Sequence, residues 1–387
     1  MAKRSLTNAR VARLPASGIR RFFDLAATLE GAISLGVGEP DFVTPDAFRD
    51  AAVRSIREGR TQYTSNYGLL ALREAIATHT AAMHGVSYAP QGEILVTVGV
   101  SEAVDLALRS TLNDGDEVIV ADPSYVAYLP AIILAGGVPV PVPTLERDDF
   151  RLTPAAVRSA ITRRTRAILL GFPSNPTGAV LTADDVRGIA DLSREHDLLV
   201  YADEIYDRLV YGVPHRSILA EQGMKERTVY LAGFSKSYAM TGWRVGYACA
   251  PAEIIEQMMK IHQYTVMCVP TAAQYAALEA LRSGEAEVQR MVAEYDRRRI
   301  RMWERFNAMG LPCFEPRGAF YCFPNVTGTG LTDDEFCTRL LTEEKVVVVP
   351  GNAFGAGGRG HIRACYAASM ERIDDACDRI ERFVGRL

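Results

Sequence analysis

Lys236 lies in the run Gly233-Phe-Ser-Lys-Ser-Tyr-Ala-Met-Thr-Gly-Trp-Arg-Val-Gly-Tyr247, between two serines and eight residues ahead of Arg244. Lysine is a strongly hydrated point charge and is rarely buried without a task. One task that needs a lysine is a Schiff base with a carbonyl cofactor. If that cofactor is a phosphorylated pyridine aldehyde, the protein must supply more. It needs an acid for the ring nitrogen, a phosphate cradle and an anchor for the substrate.

The chain offers a candidate for each. In Thr97-Val-Gly-Val-Ser-Glu-Ala103 a strand ends, Gly99 turns the chain and a helix begins. Free N–H groups and the positive dipole end suit a phosphate there, although every strand–helix turn has such groups. Gly171-Phe-Pro-Ser-Asn-Pro-Thr-Gly178 follows another strand. Its prolines and glycines make either a plain turn or a rigid loop that aims Asn175 at a ligand. Tyr201-Ala-Asp-Glu-Ile-Tyr206 sits at the carboxyl end of an apolar strand, where open α/β sheets bind ligands. Asp203 there holds a cationic ring nitrogen, or else caps a helix beside a packed Tyr206. Arg244 suits a phosphate through its fork of donors.

These residues need elements to position them. Ile19 to Leu29 carries apolar residues at helical spacing after a possible N-cap, Ser17. Helices are predicted over 45–57, 69–84 and 101–112, and over 183–196 behind the possible N-cap Thr182. Strands are predicted over 93–98, 117–121, 167–171, 198–202, 228–232 and 244–249. Short apolar strands alternating with helices argue for a mostly parallel sheet covered on both faces. Beyond residue 285 the pattern changes to a long helix over 285–309, strand-like pieces at 319–323, 345–349 and 361–366, and a closing helix over 370–383. That reads as a second, α+β domain. Arg297, Arg298, Arg299 and Arg301 on the long helix read as a solvated or interface face rather than a binding patch.

Composition excludes several classes. The chain has 387 residues, 48% of them hydrophobic, enough for a large core and two domains. A net charge of −4 gives no reason to expect nucleic acid. No apolar stretch approaches the roughly 18 residues that would span a bilayer. The first residues lack the apolar core of a secretory signal. Seven cysteines are spread singly with no Cys-x-x-Cys pair, which reads as reduced thiols in a cytoplasmic protein.

Taken together and in this order, the features resemble the class I aminotransferases of the pyridoxal-phosphate fold type I superfamily. The resemblance runs from Leu35-Gly-Val-Gly-Glu-Pro-Asp-Phe42 to Arg363, and the Ser-Lys-x-x-x-Met-x-Gly-x-Arg pattern of Ser235 to Arg244 is its most specific part. "GFSK…TGWR" looks like the subgroup of aspartate, aromatic and broad-range transaminases. The resemblance implies an α/β fold. A large domain with a mostly parallel seven-stranded sheet flanked by helices is joined to a smaller α+β domain. Residues 1–45 would form an N-terminal arm and part of the small domain, 46–285 the large cofactor-binding domain and 286–387 the small C-terminal domain.

Residue by residue, the resemblance implies that Lys236 carries pyridoxal 5'-phosphate and then shuttles the proton. Burial and a cationic cofactor should bring the lysine below its ordinary pKa of about 10.4. Asp203 would keep the pyridine nitrogen protonated, Asn175 and Tyr206 would hydrogen-bond the ring hydroxyl oxygen, and Tyr125 would stack on the ring. Backbone N–H groups of Val100 and Ser101, with Ser235 and Arg244, would hold the phosphate. Many relatives carry a further serine where this chain has Gly233. Tyr63 would reach the phosphate of a neighbouring subunit, making the active unit a homodimer with shared sites, or would simply pack at the interface. Arg363 would take the substrate α-carboxylate, with the backbone of Gly38 beside it, unless it pairs with an acidic residue instead. Pro123 and Pro176 are the expected cis prolines.

Aspartate-specific relatives need a cation for the second carboxylate. The matching positions here are Ser101 and the arginine-free segment Ile261 to Pro270. That segment supplies His262, Gln263, Tyr264 and Met267, as in aromatic or broad-range members. An aromatic or broad-range transaminase using 2-oxoglutarate is therefore expected. Aspartate aminotransferase, an N-acyl-diamino acid aminotransferase and a carbon–sulfur β-lyase remain the alternatives. Only about 35 residues precede Gly36, too few for the fused DNA-binding helix-turn-helix of some relatives.

Overall fold

The computed structural model describes residues 6–12, 14 and 31–387. The helix expected over Ile19 to Leu29, with its Ser17 cap, lies outside those residues. In chain order the strands are β1 (Ile33–Ser34), β2 (Ile94–Thr97), β3 (Glu117–Asp122), β4 (Val138–Pro143), β5 (Thr165–Gly171), β6 (Leu199–Asp203), β7 (Thr228–Gly233), β8 (Gly246–Cys249), β9 (Tyr321–Cys322), β10 (Val346–Val347), β11 (Val349–Pro350) and β12 (Ile362–Cys365).

Seven of them form one sheet in the order β2-β8-β7-β6-β5-β3-β4. Only β8 runs against its neighbours; the other pairings are parallel. The central strands are apolar along their length because both faces are covered. Ile119, Ile168 and Val200 pack on one face with Val186 and Ile189 of the helix Ala183–Glu195. Val118, Leu169 and Tyr201 turn to the other face and meet Leu106 and Ala107 of the helix Gly99–Thr111. Each buried aliphatic side chain of this kind contributes about 2 kcal/mol of transfer free energy. Thr182 caps its helix as the sequence predicts, in a capping box with Asp185.

The chain leaves β3 outward to β4 on one side and through β5, β6, β7 and β8 on the other. The carboxyl ends of β3 and β5 therefore flank a topological switch point, where doubly wound sheets open a crevice. A second, antiparallel sheet has the order β11-β12-β9, and β1 pairs in parallel with β10. The segment after β1 is tied to both: Leu35 donates its N–H to Val347 and accepts from Cys365.

Three expectations are corrected. The edge strand β4, Val-Pro-Val-Pro-Val-Pro, is absent from the sequence reading because its prolines argue against a strand. Val138 and Thr144 donate to Asp116 and Asp122, so residues of that parity face β3 and the prolines fall on the open edge. The single strand expected over 345–349 is two, since β10 and β11 pair with different sheets. The arginines of the helix Glu285–Ala308 are not one solvated face. Arg298 and Arg299 are buried, Arg298 between Asp41 and Glu294 and Arg299 between Asp296 and Glu315.

Candidate active site

The crevice at the switch point holds a cavity of about 790 Å³. Its lining includes Gly38, Val100, Ser101, Tyr125, Asn175, Asp203, Tyr206, Ser235, Lys236, Arg244 and Arg363. Eleven of the twelve residues singled out in the sequence thus meet at one place. They come from the ends of β3, β5, β6 and β7, the turn after β2, the segment after β1, and β12.

Lys236 stands just beyond β7. Its Nζ donates to the carbonyl of Gly38 at 2.6 Å and lies 5.6 Å from the Phe320 ring centroid. Burial lowers its pKa to about 8, so an appreciable fraction is a free amine near neutrality. Asp203 ends β6 and is buried; burial raises its carboxyl to about 6, against the hydroxyl of Tyr128 and the N–H of Ile205. Burial also raises the phenol of Tyr206, whose hydroxyl is 2.7 Å from that of Tyr321. Asn175 precedes a cis proline, as do Asp122 and Phe172. Pro123 and Pro176 are therefore cis as expected, and Pro173 joins them.

Arg363 is buried in β12. Nη1 donates to Asn175 Oδ1 at 2.8 Å and Nη2 to Gly36 O at 2.5 Å, while Nε is buried without a partner. Its guanidinium carbon lies 4.5 Å from the Tyr321 ring centroid. No acidic side chain pairs with it among the described residues, so the alternative reading of Arg363 as an ion-pair partner is removed. Gly36, rather than Gly38, gives it a carbonyl. Gly38 serves Lys236 and leaves no room for a side chain, since a Cβ would overlap the Tyr321 hydroxyl.

At the start of the helix Gly99–Thr111, Gly99 has φ of +71° and Arg244 crowds it. A Cβ there would lie 2.6 Å from Arg244 Nη2, and one on Gly246 would lie 2.6 Å from Val100 N. The turn, Ser235 and the arginine therefore form a close-walled cradle of N–H, hydroxyl and guanidinium donors. Those donors, a buried carboxylate with no cationic partner and a lysine with a lowered pKa fit a phosphorylated, cationic pyridine aldehyde. The orphaned Nε of Arg363 fits an added carboxylate.

Tyr63 lies apart from the cavity and is 80% exposed. Its segment is tied to the one after residue 264: Asn66 donates to Met267 O, and Thr271 to Gln62 O. Tyr264 is 86% exposed there, but His262 is turned inward and fully buried against Glu102. Of that segment, Tyr264 and Met267 are exposed and His262 is not. The sequence reading also missed Tyr128 and Tyr321. Tyr125 lies ahead of the helix Tyr128–Leu134 and meets Tyr128 edge-on at 5.4 Å between ring centroids, so no helical spacing pointed to Tyr128. Tyr321 carried no local signal, because its partners Tyr206 and Gly38 are distant in the chain.

A doubly wound sheet with a lysine, a buried aspartate and a carboxylate-ready arginine at its carboxyl edge is the arrangement of a fold type I enzyme. Comparison with known proteins agrees. Residues 30–380 match the family of class I and II aminotransferases. The chain is 46% identical to the aromatic-amino-acid aminotransferase 2 of Thermococcus litoralis, over 95% of each chain. It is 47% identical to the aspartate aminotransferase of Pyrococcus abyssi, again over 95% of each. The crystal structure of an aromatic aminotransferase from Pyrococcus horikoshii superposes with a TM-score of 0.90 at 46% identity, covering 94% of this chain and 99% of that one. The chain belongs to the class I and II aminotransferases, a family of pyridoxal-phosphate-dependent transaminases.

Proposed function

We propose that the protein moves the α-amino group of an aromatic or broad range of amino acids to a 2-keto acid such as 2-oxoglutarate, with ping-pong kinetics. The reading is carried by one observation: Lys236, Asp203 and Arg363 face a single cavity, each with unspent capacity. Pyridoxal 5'-phosphate, when bound to Lys236, supplies an electron sink for the substrate α-carbon. Asp203 holds the proton on the ring nitrogen, and Asn175 and Tyr206 hydrogen-bond the ring hydroxyl oxygen. Tyr125 covers the ring. Val100 N, Ser101 N, Ser235 and Arg244 hold the phosphate.

Arg363 grips the α-carboxylate and so orients the Cα–H bond. Lys236 Nζ, set free once the substrate amine has taken its place, would take the α-proton, a role its lowered pKa suits. Tyr63 of a second copy completes the phosphate site in a homodimer. Residues 1–45 serve as an arm and part of the small domain, 46–285 as the cofactor domain and 286–387 as the small C-terminal domain. Seven free cysteines support a cytoplasmic setting. Among the described residues no helix is long and apolar enough to cross a membrane.

The donor preference rests on charge. The cations lining the cavity are Lys236, Arg244 and Arg363, and none is left for a side-chain carboxylate. Val37, Ile205 and Tyr128 add apolar or aromatic surface. Aspartate is the competing donor, since several relatives at 38–47% identity bear the name aspartate aminotransferase. The test is the visible spectrum of the cofactor-loaded protein on adding tyrosine, then aspartate, with no keto acid present. Bleaching of the yellow band by tyrosine supports the reading. Bleaching by aspartate alone moves the donor, and no yellow band at all removes the cofactor role of Lys236.

A further inference from the structure

The cradle is braced from behind by two residues that do not line the cavity. Glu102, in the first turn of the helix Gly99–Thr111, bends back so that Oε2 accepts the Val98 N–H at 2.5 Å. Its Oε1 lies 2.9 Å from Nδ1 of His262, on the helix Ala252–Thr265. A carboxylate oxygen accepts, so Nδ1 carries the proton. The other ring nitrogen, Nε2, is buried with no partner. A buried unpaired nitrogen costs stability, and an apolar side chain would fill this core position without that cost. What the histidine adds is its single bond to Glu102.

That bond bears on the turn. Val98 immediately precedes Gly99, whose conformation sets where the N–H groups of Val100 and Ser101 aim. Thr97 Oγ1 donates to Gly99 O at 3.0 Å and fixes the same turn from its own side. Arg244 and Gly246 press on it from the front. Both Glu102 oxygens are engaged behind the turn, one by Val98 N and the other by His262. The carboxylate is also drawn away from the donors an anion would use. The geometry points to His262 as a positioning residue for a phosphate group at the Gly99–Ser101 turn, acting through Glu102.

This inference rests on the reading that the turn holds the cofactor phosphate, and the test separates the two. Cofactor-free protein is titrated with pyridoxal 5'-phosphate and with pyridoxal, which lacks the phosphate. Wild type should prefer the phosphorylated form strongly. His262→Leu should lose about tenfold of that preference, a loss the size of one charge-assisted hydrogen bond, with pyridoxal binding unchanged. His262→Asn, which can place an amide N–H near the position of Nδ1, should retain it. Glu102→Ala should repeat the loss, and answers the question if the leucine variant does not fold. An equal loss for both ligands, or none for either, overturns the positioning role. A wild type without preference overturns the phosphate reading itself.

Discussion

Tyr128 donates its hydroxyl to Oδ2 of Asp203 at 2.8 Å, and both side chains are buried at the carboxyl edge of the sheet. Burial raises the Asp203 carboxyl to about 6, and the Tyr128 bond is the strongest influence against it. An ionised Asp203 is what a cationic ring nitrogen requires. In cofactor-free Tyr128→Phe the carboxyl should therefore titrate higher still. Cofactor affinity should fall off at higher pH than in wild type, by about tenfold more near pH 6. Binding titrations across that range decide it. A profile that does not move would separate Asp203 from cofactor binding.

Lys236 gives a second pH signature. Its pKa of about 8 lies below that of an exposed lysine because burial disfavours the charge. Addition of an aldehyde to cofactor-free protein should accelerate as pH rises through about 8. Surface lysines should respond only near their ordinary value of about 10.4. Lys236→Ala should lower transamination by roughly 10³-fold or more, while leaving the folded protein able to bind anions at the Gly99 turn. Stopped-flow labelling and steady-state rates check both halves. A Lys236→Ala protein with wild-type rates would remove the lysine from the chemistry.

Most of the site was legible in the sequence because it sits at strand ends. Asn175, Asp203 and Lys236 each follow an apolar run, and the alternation of strands and helices brings such ends to one edge. What escaped is what depends on long-range packing. Tyr321 meets Tyr206 and Gly38 across the junction of two sheets, and no local pattern announces that. The proline-rich β4 was hidden by local propensity, since only the position of the open edge makes its prolines harmless. His262 was grouped with Gln263, Tyr264 and Met267 because they share one segment, whereas the structure buries His262 against Glu102 and leaves Tyr264 and Met267 exposed.

The arginine run of the helix Glu285–Ala308 separates burial from composition. Arg299 is buried and donates to Asp296, Glu315 and the carbonyl of Pro316. Arg301, 45% exposed, pairs with Asp374 alone among the described residues. Arg299→Ala takes the partner from Asp296 and from the Pro316 carbonyl, while Glu315 keeps Arg317, and with the lost packing of a buried side chain it should cost about 2 kcal/mol. Arg301→Ala should cost less than about 0.5 kcal/mol. Denaturant unfolding of the two variants measures the contrast. Equal effects would mean that Arg299 is solvated in solution.

Behind Asp203 lies a pair that the proposed chemistry does not use. Glu204 Oε2 meets His215 Nε2 at 2.5 Å and Oε1 accepts the Ser217 hydroxyl, with His84 and Asp207 also facing the pair. Burial opposes charge on both partners, yet each prevails in the other: the His215 pKa is raised and the Glu204 pKa lowered. The histidine's contribution is complete below its ordinary 6.5 and is lost as pH rises through its higher folded value. The glutamate's contribution is present above its ordinary 4.5 and is lost as pH falls through its lower folded value. The pair therefore stabilises most between those ordinary values. His215→Leu should destabilise the protein by about 3 kcal/mol near pH 6 and by clearly less near pH 9. His215→Gln, which can return an N–H to the position of Nε2, should recover part of the loss at both. Urea unfolding at the two pH values tests this, and a deficit independent of pH would show that His215 is held by packing rather than by its charge.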